Sequence, residues 1–178
     1  MNLTEAIVVR VSHDLAGAIG AFSNTVDLMK MDASFISESV DLLETSAHQL
    51  TVRLAFFRGL FGAETKSIDA HLIHRYLNTL AVRVEFCGEL SSRLQLAMIA
   101  VGIELLGVGG VLELSNQTLT VHAKELYQDP VFMQALMGTK VPCDPKLVMP
   151  LWLNQIAKEE GLIIRLDAGD DTITLSLA

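Results

Sequence analysis

Apolar residues recur at a regular helical spacing through the first third of the chain. Between residues 35 and 61 the steps from one to the next alternate between four and three residues without a break. This is a heptad pattern, which is typical of a helix that packs lengthwise on other helices. The positions that form it are Ile36, Val40, Leu43, Ala47, Leu50, Leu54, Phe57 and Phe61.

Residues 5–30 repeat the heptad pattern and predict another long helix. Asp32 or Ser34, between the two segments, can N-cap the second helix, so the pair forms an antiparallel helical hairpin. Two helices cannot enclose apolar stripes of this width, and we expect dimerisation to complete a four-helix bundle. The hydrophobic content of 51% favours the same conclusion. The first stripe consists of Val8, Val11, Leu15, Ala18, Phe22 and Met29, widened by Ile19 and Val26.

The pattern after Gly62 is that of an α+β unit, with helices on one face of a mostly antiparallel sheet. The sequence therefore predicts a hairpin domain of residues 1–63 and a second domain of residues 64–178, with a linker at 61–67. The predicted strands are 81–87, 111–115, 118–123, 162–166 and 172–177, and the predicted helices are 69–80, 91–106, 129–137 and 145–160.

Charge and composition exclude several classes of protein. The 178 residues carry a formal net charge of −8 and contain no run of Lys or Arg, whereas nucleic-acid-binding proteins normally show a basic patch. Cys87 and Cys143 have no metal-ligand spacing and are expected to be reduced. The sequence opens without a basic, cleavable leader. The most lipid-like stretch, residues 94–112, is interrupted by glycines, Gln95 and Glu104, so we expect a cytoplasmic protein without a membrane span.

His13 is the main candidate for a functional residue on the first predicted helix. With Val8 at heptad position a, His13 falls at position f, which points away from the apolar seam. It is either an idle surface histidine or a functional one. Ala16 and Gly17 follow one turn later and Gly20 two turns later. A glycine in an exposed helix costs about 1 kcal/mol relative to alanine, so this face is suited to the close approach of another protein.

An exposed imidazole is well suited to carrying a phosphoryl group. A ring in water is largely neutral and nucleophilic at cytosolic pH, and phosphoryl transfer depends mostly on positioning and charge neutralisation. Asp14 either hydrogen-bonds the second ring nitrogen and orients the ring, or is a solvated charge at heptad position g. No further catalytic group is required from this chain if the partner supplies Mg²⁺ and a lysine.

The chain resembles a known family at these positions. The segment RVSHDL at residues 10–15, followed by GA at 20–21 and VDL at 26–28, resembles the phospho-accepting helix of two-component signalling proteins. Together with RLAFFR at 53–58 and the later architecture, it looks most like the ChpT family of alphaproteobacterial histidine phosphotransferases. Family members often have a proline shortly after the His-Asp pair, whereas residues 16–18 here are Ala-Gly-Ala.

The resemblance implies a homodimer with a four-helix bundle, and a C-terminal α/β-sandwich domain like a degenerate histidine-kinase ATPase (Bergerat) domain. A hybrid-kinase receiver would phosphorylate His13, and a response-regulator receiver would then take the group. The chain would bind no ATP and no stable cofactor, and Mg²⁺ would come from the receiver. An antiparallel hairpin places residues 51–55 opposite His13, so the expected receiver-binding residues are Arg10, Ala16, Gly17, Gly20, Thr51, Val52 and Ala55, with Asp14 as the orienting group.

Two other functions remain open on the sequence. A dimeric adaptor could use the same fold to dock receivers or kinases without transferring a group. An active histidine kinase needs an Asn-bearing helix that holds Mg²⁺, but residues 94–106 contain no Asn or Asp, and Glu104 is their one acid. Residues 167–171 (DAGDD) resemble a damaged DxGxG motif yet are better explained as a β-turn. Gly107 to Gly110 lack the lysine and helix start of a phosphate loop.

The other histidines give weaker indications. His71 and His74 lie three residues apart on a predicted helix, as a pair of metal ligands would, but no third ligand is evident, so we predict no metal site. His48 on the second helix and His122 in a strand have no partner that the sequence identifies.

Overall fold

The computed structural model describes residues 1–31, 36–62, 70–80, 82–86, 92–107 and 109–178. These residues form six α-helices, five β-strands and a 3₁₀ helix at Pro145–Leu147, which confirms the α+β class. The helices are α1 (Leu3–Met31), α2 (Ile36–Phe61), α3 (Ala70–Asn78), α4 (Arg93–Leu105), α5 (Pro130–Leu136) and α6 (Val148–Glu159). The strands are β1 (Val82–Phe86), β2 (Gly110–Leu114), β3 (Thr118–His122), β4 (Ile164–Ala168) and β5 (Thr172–Leu177).

Some predictions concern residues outside these ranges. The two candidate N-caps, Asp32 and Ser34, are among them, and so is Cys87. The predicted domain boundary between residues 63 and 64 also lies outside the described residues, together with most of the predicted linker.

The two long helices α1 and α2, which we call the hairpin, pack side by side. Burial differs along the hairpin. The end of α2 that carries Val52, Phe56 and Leu60 is buried, with no more than 2% of any of these residues exposed. Several predicted seam residues remain at least 40% exposed, and we call them the exposed seam residues: Val8, Ile19, Phe22, Ile36, Val40 and Leu54.

The five strands form one mixed sheet in the order β1-β2-β3-β5-β4. Strands β1 and β2 are parallel, and the other three pairs are antiparallel, so the expectation of a mostly antiparallel sheet is confirmed. Alternate residues of β3 and β5 are buried, as in a sheet with one face against a core. The predicted turn at residues 116–117 joins β2 to β3.

Helix α4 is the central element of the core. It is apolar on nearly every side, and its residues 94–102 are all buried, as expected of a helix enclosed by other elements. Ser92 and Gln95 form a capping box at its start. The helix lies very close to the sheet at Gly102, where a Cβ atom would come within 2.9 Å of the side chains of Leu112 and Leu119.

The hairpin and the α+β unit share one hydrophobic core. The buried end of α2 packs against α4, and the buried side chains of both parts belong to a single cluster. Trp152 of α6 donates a hydrogen bond from Nε1 to the carbonyl oxygen of Leu60 at 3.0 Å, and its ring contacts that of Phe61 at a centroid distance of 5.5 Å. The C-terminal end of α2 is therefore held against the α+β unit.

The end of α6 explains a shift in one predicted boundary. Gly161 has φ +74°, and the amides of Gly161 and Leu162 donate to the carbonyls of Lys158 and Ala157, which is a Schellman motif. Because Leu162 completes this helix end, β4 begins at Ile164 and not at the predicted residue 162.

Candidate phosphotransfer site

His13 lies on the outer surface of α1, and its side chain is 85% exposed. The heptad pattern predicts that this side chain points away from the seam, and its exposure confirms the prediction. The ring is therefore open to a molecule that approaches from solvent.

Asp14 is in contact with the His13 ring and is itself held in place. Its Oδ1 lies 3.5 Å from His13 Nδ1, and its Oδ2 accepts a hydrogen bond from Arg10 Nε at 3.0 Å. The Asp14 side chain is 23% exposed, and its two contacts favour the orienting role over that of a solvated charge. Since Nδ1 is the nitrogen beside the carboxylate, Nε2 is the nitrogen left for a partner.

Arg10 joins α1 to the core helix α4. Its Nη2 donates to Oε1 of Glu104 at 2.5 Å, and both side chains are 23% exposed. Burial alone lowers the pKa of Arg10, but the carboxylates of Glu104 and Asp14 outweigh it, so the net pKa is raised. Burial raises the pKa of Glu104, and Arg10 partly opposes that change. The guanidinium predicted to contact a receiver is thus engaged within the chain.

Two further residues complete the surroundings of Asp14. Arg53 of α2 donates from Nη1 to the backbone carbonyl of Asp14 at 2.9 Å. Tyr76 of α3 stacks on Phe56 with ring centroids 4.5 Å apart, and burial is the main cause that raises the pKa of Tyr76 to about 12. These side chains, with Arg10 and others, line a small cavity of about 190 Å³ between the hairpin and the α+β unit.

The outer face of α1 that follows His13 carries small residues. Ala16, Gly17 and Gly20 are exposed, and a Cβ atom at either glycine would meet no described atom within 4 Å. Packing within the chain therefore does not require glycine at these positions.

The α2 part of the predicted receiver surface is only partly available. Thr51 is exposed and Ala55 is half-buried. Val52 is 1% exposed, so the prediction that it contacts a partner is wrong. The heptad pattern describes only the helix pair and takes no account of the α+β unit, against which α2 also packs.

The two nucleotide-like sequences are parts of ordinary turns and strands. Residues 169–171 connect β4 to β5, and the amide of Gly169 donates to the carbonyl of Thr172 at 2.8 Å, so this segment is the short connection of a strand hairpin. Gly107 donates to the carbonyl of Glu125, beside an isolated bridge between Leu106 and Leu126. In contrast to a phosphate loop, this segment leads into strand β2.

The remaining histidines do not assemble into a site. Arg75 of α3 lies within 2.7–3.3 Å of the His48 ring nitrogens, a contact that the sequence did not predict. His122 Nδ1 lies 3.4 Å from the hydroxyl of Thr172. Across the ranges that the structure describes, no three His, Cys, Asp or Glu residues are grouped as metal ligands.

Helix α1 was not the segment that the sequence singled out as lipid-like. Within the described part of the chain it is the one helix long and apolar enough, by length and composition, to cross a membrane. Core helices of folded proteins and signal sequences meet the same criteria. Here α1 is tied to α4 by the ion pair between Arg10 and Glu104.

The chain is similar in fold to a solved structure. No protein-family model matches it, and a search of curated protein sequences gives no match. A solved structure described as that of a bacterial phosphotransferase superposes with a TM-score of 0.86 and 23% sequence identity. The match covers 99% of this chain and 95% of the other. The fold of that protein is therefore the fold of this chain over nearly its whole length.

Proposed function

We propose that this chain is a histidine phosphotransferase of a two-component phosphorelay. His13 accepts a phosphoryl group from the aspartyl phosphate of one receiver domain and passes it to the aspartate of another. The observation that carries the proposal is the His13 ring, which is 85% exposed with Nδ1 beside the Asp14 carboxylate. The likeness to a bacterial phosphotransferase supports it from the fold.

The arrangement favours attack by Nε2. In the tautomer whose proton is on Nδ1, that proton points to Asp14 and the Nε2 lone pair is free. The lone pair forms the N–P bond while the P–O bond to the receiver aspartate breaks, and the carboxylate leaves with the electron pair. The ring then carries positive charge, which the Asp14 carboxylate stabilises. The reverse steps deliver the group to the second receiver.

The proposed receiver surface lies around His13 on the outside of the hairpin. Small side chains allow the active site of a receiver, with its bound Mg²⁺, to come close to Nε2. A Mg²⁺ ion held by the receiver would supply charge neutralisation at the phosphoryl oxygens. The surface consists of His13, Ala16, Gly17, Gly20, Thr51 and Ala55.

The remaining parts of the proposal concern assembly and nucleotide. The exposed seam residues become buried in a homodimeric four-helix bundle, since apolar surface of this kind is rarely left open. The α+β unit is a degenerate ATPase-like domain that does not use ATP. This agrees with Glu104, the one acid of α4, being paired with Arg10. We place the protein in the cytoplasm, where receivers are found.

The test uses a hybrid-kinase receiver from the same genome, phosphorylated with acetyl [³²P]phosphate. The purified chain should acquire label that is acid-labile and base-stable, and His13→Ala should acquire none. His71→Ala, a change at an exposed histidine of α3, is the control and should label normally. Label that survives acid, or label on His13→Ala, would contradict the proposal. A dimeric adaptor would instead keep its cellular activity in His13→Ala.

A further inference from the structure

A continuous series of polar contacts runs from the exposed His13 ring to the core helix of the α+β unit. His13 Nδ1 contacts Asp14 Oδ1 at 3.5 Å, Asp14 Oδ2 accepts from Arg10 Nε at 3.0 Å, and Arg10 Nη2 donates to Glu104 at 2.5 Å. Glu104 is far from His13 in the sequence but is three contacts away in the structure.

The guanidinium in this series is held on two sides. A planar guanidinium presents donors in fixed directions, and Arg10 uses Nε for one carboxylate and Nη2 for the other. Its orientation toward Asp14 is therefore tied to the position of Glu104. Arg53 adds a separate restraint, because it holds the backbone carbonyl of Asp14 from α2.

Glu104 occupies an unfavourable place for a carboxylate. It lies in the last turn of α4, where the helix dipole disfavours negative charge, and its side chain is mostly buried, with 23% exposed. An apolar side chain would suit this helix better if only packing mattered. The Glu104 carboxylate pairs with the Arg10 guanidinium. This pairing points to a role for Glu104 in holding Arg10 in place.

We propose that Glu104 is a positioning residue for phosphoryl transfer. Through Arg10 it keeps the Asp14 carboxylate beside His13 Nδ1, so that the ring proton stays on Nδ1 and Nε2 accepts the phosphoryl group. This inference rests on the proposed function, and it makes the α+β unit a part of the transfer site.

The decisive measurement is the tautomeric state of His13, which needs no partner. In ¹⁵N-labelled protein, long-range ¹H–¹⁵N spectra distinguish a proton on Nδ1 from one on Nε2. We expect the Nδ1–H form to be enriched at His13 in the unmodified chain and to fall in Glu104→Gln. The rate constant of transfer from a phospho-receiver should fall roughly tenfold, the size expected for the loss of one hydrogen bond to a charged group.

Two further variants distinguish a positioning role of Glu104 from a general loss of structure. Glu159 of α6 pairs at 3.4 Å with Arg93, which lies on α4 as Glu104 does. Glu159→Gln removes this carboxylate and should change neither the tautomer of His13 nor the rate of transfer. Arg10→Lys keeps the positive charge but replaces the planar fork by a single ammonium. It should reproduce the tautomer change of Glu104→Gln, and it provides the same test if Glu104→Gln does not fold.

The possible results are distinguishable. A folded Glu104→Gln variant with an unchanged tautomer and an unchanged transfer rate overturns the inference and leaves the proposed function intact. If the tautomer changes but no receiver labels His13 in any variant, the positioning role is supported and the proposed function fails.

Discussion

At the scale of single residues, Asp14 is the side chain whose removal should affect His13 most directly. Asp14→Asn keeps the shape but cannot stabilise a positive charge on the phosphorylated ring, and it weakens the contact with Arg10. We expect the rate of phosphoryl transfer to fall at least tenfold, since hydrogen bonds to charged groups contribute about 1.5–3 kcal/mol. Transfer from a ³²P-labelled receiver measures the rate.

The control for this variant is Asp27→Asn on the same helix. Asp27 is 65% exposed and pairs with Lys30, and an exposed pair of this kind contributes little to stability. The transfer rate of Asp27→Asn should equal that of the unmodified chain. Equal rates for Asp14→Asn and Asp27→Asn would show that Asp14 does not assist the ring.

Gly17 and Gly20 provide a test of the receiver surface. Because no described atom lies within 4 Å of a Cβ at either position, Gly20→Ala should raise the free energy of unfolding by up to about 1 kcal/mol. Gly17→Trp should also fold, but its ring should obstruct a receiver and reduce transfer strongly. Urea unfolding measures the first effect and receiver labelling the second. Normal transfer by a folded Gly17→Trp would place receiver docking elsewhere.

The raised pKa of Glu104 predicts how the free energy of unfolding depends on pH. Its pKa in the folded protein is raised above the ordinary value of 4.5, so between these two values the folded state binds more protons than the unfolded state. The free energy of unfolding contributed by this group therefore decreases as pH rises through that interval. Urea unfolding from pH 4.5 to neutrality should show a steeper decrease for the unmodified chain than for Glu104→Gln. Parallel curves would contradict the raised pKa.

The sequence predicted the exposure of His13 but not the neighbours of Asp14. A heptad position depends only on local spacing, and position f points away from the seam; at His13 no other element of the described structure covers that side, so the ring is exposed. The direction of Arg10 depends on Glu104, which lies on another element and carries no local signal except that it is the one acid in an apolar helix. The burial of Val52 was missed for a related reason, since α2 also packs against α3 and α4, which the heptad pattern does not include.

At the scale of elements, the exposed seam residues of α1 and α2 predict that two copies of the chain associate. Phe22 and Val40 are predicted seam residues and are 40% and 49% exposed. If the hairpins of two chains form a bundle, Phe22→Glu with Val40→Glu should convert the dimer into a monomer, because two charges would be buried without partners. Light scattering after gel filtration measures the mass.

A matched control for this pair lies outside the hairpin. Val131 on α5 is 42% exposed, and Val131→Glu should leave the mass unchanged. A monomeric unmodified chain would refute the bundle, and loss of the dimer in Val131→Glu would indicate that α5 belongs to the interface.

The kinds of element were easier to predict than their ends or their order. Periodicity and turn residues predicted the long hairpin helices, the buried helix and both strand hairpins. The boundary at β4 was missed because a Schellman motif uses two residues beyond the helix, and the 3₁₀ helix at Pro145–Leu147 was merged with α6. The parallel pairing of β1 with β2 is set by contacts distant in sequence, which local patterns do not encode.

At the scale of the whole molecule, the shared core predicts that the hairpin and the α+β unit unfold together. Trp152 is the one tryptophan of the chain, and it contacts the end of α2 through Leu60 and Phe61. Its fluorescence therefore reports the interface, while far-UV circular dichroism reports the helices. The two signals should follow one urea transition with the same midpoint, as in a two-state domain.

The variant Trp152→Phe tests how much the interface contributes to this cooperative unfolding. It keeps an aromatic ring but removes the hydrogen bond to Leu60, so the midpoint by circular dichroism should fall by an amount that corresponds to about 1–2 kcal/mol. The transition should remain single, because the packing of α2 against α4 in the shared core remains. An early fluorescence change in the unmodified chain, followed by a later loss of helix signal, would mean that the two parts are independently stable. In that case Glu104 could lose contact with Arg10 while His13 stayed on a folded hairpin.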